Sequence, residues 1–264
     1  MAHVEAGLWT RDKYAPFPEE VNRSLVGTIA DYHFAPTRRA RRNLLDEGIA
    51  AERVFLTGNT VIDALLWVRG LNRRQPPELP AHLVKAVDGR RTILVTGHRR
   101  ESFGPRLEAM CLGMRDLAEA HPEVAIVYPV HLNPNVRAPV REILGGVDRI
   151  HLLEPLDYRP FVWLMDRCHL VLTDSGGIQE EAPALGKRVL VMRETTERPE
   201  GVEAGSARLV GCDRRAIAAE AGRLLSDDGA YREMATARSP YGDGHAAERI
   251  ARILSGLDYT PWQG

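Results

Sequence analysis

Five consecutive residues, Thr173-Asp174-Ser175-Gly176-Gly177, carry the clearest chemistry in the chain. They follow the apolar run Leu170 to Thr173 and precede a helical pattern that reads as starting at Ile178. A buried strand that turns into a helix through two glycines aims backbone N–H groups and the positive end of a helix dipole at the carboxyl edge of a sheet. Phosphate suits such a turn. The glycines let the backbone approach an oxygen, Ser175 adds a hydroxyl donor, and one turn on Glu180 or Glu181 offers a carboxylate to ribose hydroxyls. An ordinary Ser N-cap with glycines for turn geometry uses the same residues, so both readings stay open at this point.

A second run, Thr92 to Thr96, ends in Gly97-His98-Arg99-Arg100-Glu101. In a parallel sheet it delivers an imidazole and two guanidiniums to the same edge, where they can donate to phosphate. At least one of Arg99 and Arg100 reads as solvated surface charge. A third edge, Val127 to Val130, delivers His131, and Asn133 to Asn135 reads as a helix-start turn. At the amino end Glu5, Glu19, Glu20 and Arg23 fall in loops. Paired carboxylates suit proton removal at one carbon and delivery at another, although spacing alone favours Glu19 and Glu20 as the acidic first turn of a helix beginning near Pro18. Trp67, Trp163 and Phe161 are expected in the core. The charged stretch Arg193 to Glu203 reads as a solvated loop, placed where a lid could form.

The elements that must position these groups are legible as an alternation of strands and helices. Strands are expected at Thr92 to Thr96, Val124 to Pro129, Arg149 to Leu153, Leu170 to Thr173, Arg188 to Met192 and Ala207 to Val210. Most are continuous apolar runs, as strands covered on both faces should be. Helical spacing marks Leu107 to Ala120 and Ile217 to Leu225. Together they predict a doubly wound α/β sheet in residues 81–240. Residues 71–80, with three prolines, read as a linker. Residues 1–70 contain two strand–helix units, Tyr32 to Glu47 and Val54 to Arg69, behind a loop-like stretch from Ala6 to Pro18. Two such units cannot close a covered sheet, so this first domain reads as incomplete. Residues 241–264 hold a helix from about Ala246 to Gly256, expected to pack across the domain junction.

The 264 residues are 44% hydrophobic and 27% charged, with 35 basic and 36 acidic residues for a net charge of -1. No global field recruits nucleic acid or an anionic membrane surface, so anion recognition must be local. Cys111, Cys168 and Cys212 are scattered, without metal or disulfide spacing, which points to a reducing cytoplasm. No apolar run approaches the ~20 residues that span a bilayer, and no secretory signal pattern is expected at the amino end.

Seven strings occur in order: His3-Val4-Glu5-Ala6-Gly7-Leu8, Pro18 to Arg23, Thr57 to Asp63, Thr96 to Glu101, Tyr128 to Asn135, Thr173 to Pro183 and Arg193 to Glu200. Together they resemble the non-hydrolysing UDP-N-acetylglucosamine 2-epimerases over essentially the whole chain. The resemblance implies two Rossmann-like domains of the glycosyltransferase-B type, with UDP held mainly by the second. It implies interconversion of UDP-N-acetylglucosamine and UDP-N-acetylmannosamine through a 2-acetamidoglucal, with UDP eliminated and added back. No nicotinamide or other cofactor and no metal is implied. By motif, Glu5 and Glu19 are acid/base carboxylates and Arg23 supports the sugar-phosphate end. His98 is the catalytic imidazole at the phosphate, which Ser175, Gly176 and Gly177 bind. Glu181 holds ribose and Phe161 lies by the uracil. Arg99, Glu101 and His131 match residues that bind a second UDP-N-acetylglucosamine as activator.

The chain departs from the pattern in two places. It lacks the family's leading strand with a Gly-Thr-Arg-Pro-Glu-type turn and the following units with a phosphate-binding cation and an acid/base aspartate. The expectation is a chain without the N-terminal part of its first domain. Trp9 stands where the family usually has an arginine. The alternative function is a UDP-sugar-binding module or inactive pseudoenzyme. A glycosyltransferase of the same architecture fits the Glu5 and Glu19 strings poorly. The expected assembly is a homodimer; an incomplete sheet would leave an edge and apolar faces that invite association or instability, and surface-polysaccharide or teichoic-acid linkage supply is the implied pathway.

Overall fold

The computed structural model describes residues 1–14, 17–235 and 239–264. The chain divides into two compact units, one of residues 1–67 with 239–264 and one of residues 68–238.

In the first unit three parallel strands lie in the order β1 (Ala2–Val4), β2 (Tyr32–Ala35), β3 (Val54–Leu56), with His3 beside His33 and His33 beside Val54. The helix α1 (Glu19–Ile29) joins the first two strands, α2 (Arg38–Asp46) follows β2, and α3 (Thr60–Arg74) follows β3. β1 was not foreseen: its three residues are too few and too polar to show a period. A small core of Ala6, Leu8, Ala35, Ala40, Leu44 and Val54 pins α2 to the sheet. Gly7 is obligatory there. Its φ is +85°, and a Cβ would lie 2.1 Å from the Ala40 carbonyl oxygen, so any side chain would force α2 away. β1 pairs on one side only, and Val4 on it and Leu25 and Ile29 on α1 are exposed.

The segment read as a linker from Leu71 is helical to Arg74, with Gln75 N–H still bonded to the Leu71 carbonyl. Buried Asn72 explains the extension, because its amide bonds the Arg159 carbonyl and accepts from Arg159 Nε at 3.0 Å. Pro76 and Pro77 then end the helix.

The second unit opens with α4 (Ala81–Asp88). It continues β4 (Arg91–Thr96), α5 (Pro105–Ala120), β5 (Val124–Pro129), α6 (Pro134–Leu144), β6 (Ile150–Leu153), α7 (Tyr158–Arg167), β7 (Leu170–Thr173), α8 (Gly176–Ala184), β8 (Arg188–Val191), α9 (Pro199–Glu203), β9 (Ala207–Leu209), α10 (Arg214–Ser226) and α11 (Asp228–Ala235). All six strands are parallel, in the order β6-β5-β4-β7-β8-β9. One face, with Ile93, Val95, Ile126, Leu170 and Leu172, packs on α5, α6 and α10. The alternate residues Leu94, Val127, Val171 and Val189 are equally buried, and α4, α7 and α8 contact the sheet. Burial on both faces explains the continuous apolar runs. The chain steps outward from β4 to β6, then returns to the other side of β4 as β7. That reversal is the topological switch point, where ligands enter doubly wound sheets.

The last helix, α12 (Ala246–Leu254), belongs to the first unit. The Asp63 carboxylate accepts from the N–H groups of Ala246 and Ala247 at 3.1 and 2.8 Å. Arg249 is held by Asp243 and the Thr57 carbonyl, and Trp262 N–H donates to the Leu56 carbonyl at the β3 edge. Among the described residues no helix is long and apolar enough to cross a membrane.

Candidate functional site

The switch point between β4 and β7 gathers most of the chemistry that the sequence marked. Thr96 and Thr173 are register partners, and their hydroxyls lie 2.6 Å apart. Thr173 Oγ1 also accepts from Ser175 N–H, so the turn is folded by its own strand end. The helix begins at Gly176, two residues earlier than its apolar pattern implied, with Ser175 in extended conformation as N-cap. The Ser175 hydroxyl makes no capping bond, and the first N–H groups of a helix have no carbonyl within it. Hydroxyl and amides therefore remain for an anion.

The His98 turn is tied to this one through Asp174. That carboxylate is fully buried, and its Oδ2 accepts from the N–H groups of His98 and Arg99, both at 2.9 Å. Tyr128 OH donates to the Gly97 carbonyl at 2.8 Å, fixing the loop from the β5 side. His131, at the end of β5, brings its ring 5.5 Å from that of His98 at an interplanar angle of 18°. His98 remains exposed, as are Arg100, Glu101 and His131.

The stretch from Arg193 is not the solvated loop its composition predicted. Glu197 and Arg198 are buried. Glu197 accepts from Arg99 at 2.9 Å and Arg193 at 2.6 Å, and Arg198 pairs with Glu180. Burial alone would raise the Glu197 carboxyl, but Arg193, Arg198 and Arg99 together bring it down to about 2. Arg193 also reaches Glu101 at 3.3 Å. Arg99 is thus a paired residue beside Gly176, while Arg100 is the solvated one. Glu180 is committed to Arg198, which leaves Glu181 as the carboxylate near the turn.

Glu181 accepts from Tyr158 OH at 2.7 Å. Burial raises its carboxyl to about 7, partly opposed by the Tyr158 hydrogen bond. Phe161, on the same helix α7, is half-buried. Trp163 is in the core with Arg167 stacked 4.0 Å over its ring. Trp67 is 66% exposed, contrary to the expectation for a core aromatic; it lies on the solvent stripe of α3, opposite buried Ile62 and Leu65.

The amino-terminal candidates lie in the first unit. Glu5 follows β1 at φ 62°, a left-handed conformation uncommon outside glycine, and its Oε1 accepts from Asn59 Nδ2 at 2.8 Å. Glu19 is exposed at the start of α1. Its neighbour Glu20 is the buried one, accepting from the N–H groups of Thr10 and Arg11. Arg23 lies 3.9 Å from Glu20. His3 and His33 sit 6.3 Å apart in the same unit, and burial lowers both imidazoles.

Asp174, Glu197, Tyr158 and Asn59 were given no role from sequence. Asp174, Asn59 and Glu197 lay inside recognised strings, but nothing in a string says which side chain another will use. Among the described residues, no group of three or more His, Cys, Asp and Glu side chains could hold a metal ion.

Comparisons with known proteins point to one family. A family model described as UDP-N-acetylglucosamine 2-epimerase matches residues 1–255. The chain is 56% identical over 257 residues to the UDP-N-acetylglucosamine 2-epimerase of Escherichia coli strain K12, covering 96% of this chain and 68% of that one. The UDP-GlcNAc 2-epimerase of Neisseria meningitidis bound to UDP-GlcNAc superposes with a TM-score of 0.89 at 43% identity, covering 97% of this chain and 69% of that one. The S. aureus MnaA–UDP structure gives 0.91 at 45% identity, covering 99% and 71%.

Proposed function

The chain belongs to the UDP-N-acetylglucosamine 2-epimerase family, and we propose that it interconverts UDP-N-acetylglucosamine and UDP-N-acetylmannosamine. In this reaction a base takes the C2 proton, the bond from C1 to the UDP oxygen breaks, and UDP adds back after a proton returns to the opposite face of C2. The observation that supports the assignment is an arrangement at the switch point suited to an anion. There the free Ser175 hydroxyl, the amino end of α8 and the Asp174-anchored His98 lie on one sheet edge.

The residues divide the work as follows in this proposal. Ser175, Gly176 and Gly177 receive the phosphates, and His98 stabilises the departing one. Glu181 holds the ribose, and Phe161 lies by the uracil. In the first unit Glu5 and Glu19 exchange protons at C2, while Arg23 supports the sugar-phosphate end. Arg99, Glu101 and His131 take a second UDP-N-acetylglucosamine as activator, which would have to exchange partners with the Arg99–Glu197 ion pair. A homodimer in a reducing cytoplasm completes the proposal.

The test is incubation with UDP-N-acetylglucosamine in heavy water, following C2 by NMR, beside calorimetry with UDP. Deuterium at C2 together with a manno product is the expected result. Binding of UDP without exchange would leave only a nucleotide-sugar-binding module.

A further inference from the structure

Asp174 spends its two carboxylate oxygens unequally. Oδ2 takes the N–H groups of His98 and Arg99. Oδ1 is buried with no hydrogen-bond partner and lies 3.7 Å from His98 Nδ1. A buried carboxylate oxygen without a donor is costly, and the imidazole nitrogen needs to move only about 0.8 Å to supply one. With Nδ1 turned to Asp174, Nε2 is on the far side of a ring that remains open to solvent. We propose that Asp174 is a positioning residue for the reaction: it fixes the His98 loop through two backbone bonds and holds the ring with Nδ1–H towards its own Oδ1. Nε2 then faces the departing phosphate. This inference rests on His98 acting at the phosphate as set out above.

Asp174 is the carboxylate that lies within ion-pair distance of this ring. His131 stacks on it from the end of β5. Tyr128, from the same strand, has its hydroxyl pushed well up by burial and stays neutral. Cys212, beyond β9, is also raised by burial. Arg99 is turned to Glu197. A loop anchor alone would need no charge, because an asparagine oxygen could accept the same two N–H bonds. Asparagine would, however, turn its NH₂ towards His98 Nδ1, reversing the polarity of that contact and selecting the other tautomer.

Asp174→Asn therefore separates anchoring from positioning. In the wild-type protein, 15N NMR should show neutral His98 as the Nδ1–H tautomer, with the variant shifted to Nε2–H; a His98→Gln sample assigns the signal. Carboxylates that orient metal-bound imidazoles typically carry ~10–100-fold of activity. A kcat loss of that order is expected here, with KM within about threefold and one limb of the kcat–pH profile displaced. An unchanged tautomer and pH profile, or a loss confined to KM, would overturn the inference. Should the variant fail to fold, the wild-type spectrum decides alone: Nδ1–H supports it and Nε2–H sinks it. If the wild-type protein exchanges no C2 proton, the epimerase reading fails, while the NMR result still reports on Asp174 and His98.

Discussion

The hydroxyl of Tyr158 on α7 donates to the carboxylate of Glu181 on α8 across 2.7 Å, in a site where burial raises that carboxyl to about 7. The proposed ribose ligand therefore changes charge near neutrality. Burial favours the protonated acid, the hydrogen bond favours the carboxylate, and the upward shift shows that burial wins.

Glu181 makes stability depend on pH in the direction opposite to most carboxylates. Its unfolded value is about 4.5 and its folded value about 7, so between these the folded chain binds the extra proton. Its contribution is complete below about 4.5 and is lost as pH rises through 7, amounting to at most ~3 kcal/mol. The melting temperature of Glu181→Gln minus that of wild type should therefore rise from pH 5 to pH 8. Tyr158→Phe removes the opposing hydrogen bond and should move the transition to higher pH. A difference curve that is flat over this range, measured by calorimetry, would contradict the burial argument.

Glu197 should behave in the opposite sense. Three arginines hold it at about 2, so its contribution is present above about 4.5 and disappears as pH falls towards 2. Glu197→Gln leaves Arg99 and Arg193 without their carboxylate in a largely buried setting, which costs about 3 kcal/mol at neutral pH. The loss should shrink on acidification, because wild type loses the same charge there. Urea unfolding at pH 7 and pH 3 compares the two; an equal loss at both would rule out an electrostatic origin.

Gly176→Ala sets two effects against each other. Alanine in a helix gains up to ~1 kcal/mol over glycine, but the new Cβ would lie 2.8 Å from Glu197 Oε1. That oxygen belongs to a side chain clamped by arginines and cannot swing aside. Overpacking of this kind costs ~1–3 kcal/mol, so the clash should prevail. The variant should melt lower than wild type and bind UDP more weakly by calorimetry, whereas Gly177→Ala, with its nearest neighbour at 3.7 Å, should not melt lower.

The parallel strands were legible because burial on both faces writes itself as apolar runs. β5 and β7 have the bounds that the runs implied. What escaped notice depended on partners distant in sequence. Leu71 to Arg74 looked like linker because helicity there is secured by Asn72 bonding Arg159, a residue on another helix. The loop from Arg193 looked solvated because its compensating arginine, Arg99, and its acceptor, Glu180, come from other elements. The site followed the same rule. Ser175 and His98 could be placed on one edge from strand order, but no spacing revealed that Asp174 joins their turns or that Glu5 is held by Asn59.

The bond from Asn59 to Glu5 gives the sharpest test of the proposed proton chemistry. Asn59 Oδ1 accepts from Val61 N–H at 3.1 Å at the start of α3, and its Nδ2 donates to Glu5 at 2.8 Å. Asn59→Asp keeps an acceptor for the helix and replaces the donor with a second carboxylate. Glu5 then faces a like charge in place of its donor, so the carboxylate loses the contact that holds it. If Glu5 is an acid/base group, kcat of the variant should fall at least ~10-fold. Affinity for UDP, whose proposed contacts lie in the second unit, should stay within about twofold. Asn59→Ala removes both bonds, so it should lower kcat and melt earlier. Should Asn59→Asp retain the wild-type kcat while folding normally, Glu5 would not be the group that takes the C2 proton.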